Sequence, residues 1–77
     1  MALIRSFTRK ERDRYSVHDE IEATYTTFER DGRFFLQLDS YGRKDRQVPG
    51  KQSQTIQLDR QSALALYKVL RQTFHFD

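Results

Sequence analysis

The sequence predicts an α+β domain, a small antiparallel β-sheet followed by one C-terminal α-helix. Three observations predict it. Asp31-Gly32 lies between two runs of alternating side chains, a shorter alternating run follows over 53–58, and apolar residues then recur at helical spacing from 60 to 74.

The hairpin, spanning 20–42, is the strongest of the three. Asp-Gly suits a type I′ turn, which needs a positive φ at both central residues. With those two as the turn, Arg30 faces Arg33, Phe28 faces Phe35, Thr26 faces Gln37, Thr24 faces Asp39 and Glu22 faces Tyr41. Strand side chains alternate between faces, so these pairs share one side of the sheet. The other side carries Ile21, Ala23, Tyr25 and Thr27 opposite Phe34, Leu36, Leu38 and Ser40, apolar enough to form a core. One side of the hairpin is oily, and the other holds aromatics, arginines, hydroxyls and a carboxylate.

Ahead of the hairpin, residues 1–19 read as a basic arm or a short strand, with Leu3, Ile4 and Phe7 available to pin it; 20–77 reads as a single sheet-plus-helix domain. After Gly42 comes a basic, turn-rich connection through Pro49 and Gly50, since proline cannot donate to a ladder and glycine supports unusual backbone angles. In the strand at 53–58, Ile56 and Leu58 point to the oily side. Asp59 then has the form of a helix N-cap, a short carboxylate for the orphan amides of the first turn.

Along the helix at 60–74, Ala63, Leu66, Tyr67, Leu70 and Phe74 make one stripe, with Leu64 and Val69 flanking it. That sector is wider than one sheet face needs. A chain of 77 residues is also close to the size at which one core barely stabilises a domain, and it has no cysteine for a disulfide. The simplest support is a second copy. A two-fold homodimer joined through Leu66, Val69, Leu70 and Phe74 is expected.

The formal net charge is +3, unevenly spread. Residues 1–14 hold five basic and two acidic side chains, and 43–51 hold four basic side chains against Asp45. Charge gathered in two segments points to an anionic partner. No apolar run is long enough to span a membrane, and charges interrupt the N-terminal apolar residues too soon for a signal peptide. With no cysteine, a cytoplasmic protein is expected.

From Asp31 to Leu70 the chain resembles the positive cofactor four family, the transcriptional-coactivator type of single-stranded-DNA-binding protein. The matching residues are Phe34-Leu36-Leu38, Asp39-Ser40-Tyr41, Arg43-Lys44, Pro49-Gly50-Lys51, Ile56-Gln57-Leu58 and the helix after Asp59. The chain departs from the family pattern in having Gln52 and Ser53 where a lysine and a glycine usually follow, and Asp39-Ser40 where a basic residue is usual. The resemblance implies a homodimer joined through its helices, with curved sheets forming a groove for unpaired strands.

The residues support such binding on their own chemistry. Single-strand binders combine cations that follow the phosphates with flat side chains on which bases stack. Phe28, Phe35 and Tyr41 are the candidate platforms; Arg30, Arg33, Arg43, Lys44, Arg46 and Lys51 are the candidate cations. Single-stranded DNA, with little sequence preference, is the expected partner. The rival reading is a protein–protein module docking through the same aromatic and arginine face, because interface hot spots favour those residues too. No catalytic site, cofactor or metal is expected. His18-Asp19-Glu20 puts adjacent ligands on opposite faces of an extended chain, and His75 lies at the helix end. There is no phosphate loop, nucleophile elbow or helical histidine pair.

Overall fold

The computed structural model describes residues 1–41 and 52–77. Four strands and one helix follow in order: β1 (Ala2–Ile4), β2 (Ala23–Arg30), β3 (Arg33–Tyr41), β4 (Gln52–Leu58) and α1 (Arg60–Phe74). The architecture is α+β. The strands form one sheet in the order β1-β4-β3-β2.

The β2–β3 hairpin has the register set by its turn. Arg30 pairs with Arg33, Phe28 with Phe35, Thr26 with Gln37 and Thr24 with Asp39. Asp31 and Gly32 both have positive φ, 54° and 78°, as a type I′ turn demands. Beyond the ladder, the Tyr41 amide donates to the Glu22 carbonyl at 3.3 Å, so the pairing continues to the expected fifth pair. β4 runs antiparallel to β3, with Leu36 opposite Leu58 and Leu38 opposite Ile56, and the register shifts between Ser40 and Tyr41.

The sheet is mixed, where a purely antiparallel one was expected. β1 joins the free edge of β4 in parallel, pairing Ala2 with Ile56 and Ile4 with Leu58. Strands β1 and β2 point the same way at opposite edges, which requires a long connection. Residues 5–22 supply it, exposed throughout and without regular secondary structure. Local contacts punctuate this segment: Arg9 pairs with Glu11 at 2.7 Å, and the Tyr15 hydroxyl accepts from the Arg12 amide at 3.1 Å.

α1 begins at a reciprocal cap. The Asp59 carboxylate accepts from the Ser62 amide and the Ser62 hydroxyl accepts from the Asp59 amide, each at 3.0 Å. Ser62 is fully buried in this contact. The helix ends at His75, whose φ of 58° turns the chain so that Phe74 and Phe76 stack with centroids 5.6 Å apart. No helix among the described residues is long and apolar enough to cross a membrane.

The C-terminal helix leaves most of the oily sheet face uncovered. The helix meets the sheet at its first turns, around Leu58, the one apolar side chain that is buried among the described residues (3% exposed). Farther out, Leu38 and Ile56 remain 36% and 37% exposed, and Tyr25 and Phe34 exceed 70%. The helix side chains Leu64, Tyr67, Val69, Leu70 and Phe74 are exposed as well. A single helix roughly 22 Å long, leaving the sheet from the end of β4, cannot roof four strands. The inward apolar set read from the sequence is real as a face, but one chain does not bury it.

Candidate nucleic-acid interface

The face away from the oily side is organised in rows across the strands. At the hairpin tip Arg30 and Arg33 stand opposite each other. Like charges in that position repel. Both are exposed, and Arg33 is held by the Asp59 carboxylate at 3.3 Å.

The next row is aromatic. Phe28 and Phe35 stack with centroids 5.2 Å apart and planes inclined by 22°. The Arg33 guanidinium lies over the Phe35 ring at 5.0 Å. Phe35 is thus engaged by a ring and a cation. Among the described residues Phe28 has only its ring partner and is the freer of the two platforms. Both rings are half-buried, on the face that sequence alternation assigned to them.

The third and fourth rows form a polar chain that the sequence reading did not anticipate. Gln57 Nε2 donates to Gln37 Oε1 at 3.0 Å, and Gln37 Nε2 donates to both Asp39 carboxylate oxygens, at 3.1 and 3.2 Å. The Thr55 hydroxyl donates to Asp39 at 2.6 Å. Asp39 and Thr55 are each only 7% exposed. A signal existed: Gln37, Asp39, Thr55 and Gln57 share one strand parity once β4 is registered on β3, and uncharged donors around one carboxylate satisfy it without a cation. At the far end Tyr41 shares a hydrogen bond with Thr24, hydroxyl to hydroxyl, at 3.0 Å.

This arrangement gathers part of the predicted site and divides the rest. Phe28, Arg30, Arg33 and Phe35 form one cluster at the hairpin tip. Tyr41 shares their face but stands six residues along β3 from Phe35, about 20 Å away at the rise of an extended strand. The polar chain lies between. Arg43, Lys44, Arg46 and Lys51, with Pro49 and Gly50, lie outside the described residues. Of the expected dimer contacts, Leu66 is half-buried within its own chain, while Val69, Leu70 and Phe74 are exposed.

Asp59 ties this cluster to the helix. Its pKa is held below the ordinary carboxylate value of 3.8, chiefly by the Ser62 amide, with smaller help from the Ser62 hydroxyl and the Arg33 charge against an opposing effect of desolvation. Among the described residues no group of three or more His, Cys, Asp or Glu side chains comes together as a metal site. Comparison with family models, curated proteins and solved structures gives no match for this chain.

Proposed function

We propose that the chain is a non-catalytic, cytoplasmic nucleic-acid-binding protein that acts as a homodimer and prefers single-stranded or unwound DNA. The observation that carries this reading is the aromatic–arginine cluster on the solvent side of the hairpin, Phe28 against Phe35 with Arg33 over the ring. A base stacked on Phe28 would extend that pile. Its phosphate would fall near Arg30, which otherwise faces a like charge. Stacking needs no base-edge contact, so the binding tolerates any sequence. The basic residues Arg43, Lys44, Arg46 and Lys51 supply further phosphate contacts in this reading, and Tyr41 offers a second platform farther along the strand. A role beside transcription or repair enzymes follows from the family resemblance.

The test is a titration of the protein with a labelled single-stranded oligonucleotide at several salt concentrations. Affinity is expected to fall log-linearly with salt. Removing two phosphate contacts with Arg43→Ala and Lys51→Ala should flatten that slope by about 1.4. Phe28→Ala should weaken binding by about 1–3 kcal/mol, with the slope kept. Absence of binding at about 50 mM salt, where phosphate contacts are strong, would overturn the proposal and favour a protein partner on the same face.

A further inference from the structure

The surface of a single chain is too large for its mass. It exposes 7700 Å², against about 5,000 Å² for a compact monomer of this size. Its radius of gyration is 14.8 Å, against about 11.5 Å. The exposed segment 5–22 takes a share of that excess, and the uncovered apolar faces of sheet and helix take another. A stable interface removes about 600–1,000 Å² from each partner. The surplus is large enough to supply one.

Two features at opposite ends of α1 are complementary. At its N-terminal end, a cleft of about 790 Å³ opens between sheet and helix, lined by Phe34, Leu36, Leu58, Ala63 and Leu64, with Arg60 at its rim. At its C-terminal end the stacked pair Phe74 and Phe76 stands exposed, followed by Asp77. Arg60 occupies the first turn of the helix, where the dipole disfavours a cation, and it makes no ion pair among the described residues. The chain's own aromatic pair cannot reach the cleft, because fifteen helical residues hold the two ends about 22 Å apart.

Resting on the dimeric reading above, we infer that a second copy fills the cleft. The helices pair antiparallel about a two-fold axis near Tyr67, along the exposed stripe Leu64, Tyr67, Leu70 and Phe74. That register sets Leu70 of one copy opposite Leu64 of the other and brings Phe74 and Phe76 to the partner's cleft. Asp77 then meets the unpaired Arg60. The symmetry makes the contact twice, so each helix is clasped at both ends.

The absence of cysteine makes the test direct. In the double variant Gln61→Cys with His75→Cys, a short bis-maleimide should link residue 61 of one chain to residue 75 of the other, giving a covalent dimer whose linked peptide is read by mass spectrometry. His75→Cys alone should not self-link, since the axis keeps those positions at opposite ends. Phe76→Ala should raise the dimer dissociation constant at least tenfold by sedimentation. Arg60→Asp should raise it similarly, although an acid in the first turn favours the helix itself. Adding Asp77→Arg should restore it. A dimer without the 61–75 link, or one linked only through like positions, would overturn the clasp while leaving oligonucleotide binding to be judged by its own titration. A monomer at micromolar concentration would overturn the clasp together with the dimer it rests on.

Discussion

Asp39 fixes the polarity of the whole hydrogen-bonded row on the polar face of the sheet. A carboxylate can only accept, so the amide of Gln37 must turn its nitrogen toward Asp39 and its oxygen toward Gln57. Asp39→Ala is expected to remove the acceptor of the Gln37 amide and to cost about 1–3 kcal/mol in urea denaturation. Asp39→Asn should also destabilise, since its amide meets the Gln37 amide donor to donor. Combining Asp39→Asn with Gln37→Glu reverses the direction of that bond and should recover most of the loss; additive losses would show that the row does not act as a unit. Asp59 carries a different dependence. Its pKa is lowered in the folded chain, so its contribution is complete above the ordinary value of 3.8 and is lost as pH falls through the depressed folded one. Far-UV circular dichroism should therefore show helix loss in that acid window for the wild type, and a flatter profile there for Asp59→Asn, which caps without titrating.

Among the elements, the hairpin was fully legible because one dipeptide sets both its turn and its register. Gly32 has a φ of 78° and nothing within 4 Å of where a Cβ would stand. Gly32→Ala should therefore cost only the left-handed backbone penalty, about 1–2 kcal/mol in urea denaturation, with unchanged pairing. The helix bounds were legible for a similar reason: Asp59 marks the start, and the apolar spacing runs to Phe74. Its partner in the cap was not legible. A capping box is usually signalled by Glu or Gln at the third helical position, and here Ser62 fills that place. β1 was legible only as one of two readings of residues 1–19, a basic arm or a short strand. Three residues, Ala2–Ile4, carry too little alternation to declare a strand, and its parallel pairing with β4 depends on an edge that exists only once the sheet has formed. The candidate site divides along the same line. Residue parity put Phe28, Arg30, Arg33 and Phe35 together. The Arg33 bond to Asp59 and the burial of Asp39 required knowing which strand lies beside β3.

For the whole molecule, the decisive quantity is how little apolar surface one chain buries. Among the described residues Leu58 is the only large apolar side chain that is buried, while exposed apolar residues cover much of one sheet face and a helix stripe. A chain of this length must offset roughly 1–2 kcal/mol of backbone entropy per ordered residue, chiefly through hydrophobic burial. On the dimeric reading proposed above, so thin a core makes folding depend on association. Stability then includes the concentration of the second copy, and each tenfold dilution removes about 1.4 kcal/mol. For two chains unfolding together, that corresponds to a fall in Tm of about 4 °C per tenfold dilution. Differential scanning fluorimetry across a hundredfold range of protein concentration measures it. Leu70→Glu, which puts a charge on the exposed helix stripe where the two copies would meet, should lower Tm and yield monomer or unfolded chain by light scattering. A Tm independent of concentration, with a monomeric mass throughout, would mean that this sparse core sustains the fold alone and that the apolar faces serve something other than a second copy.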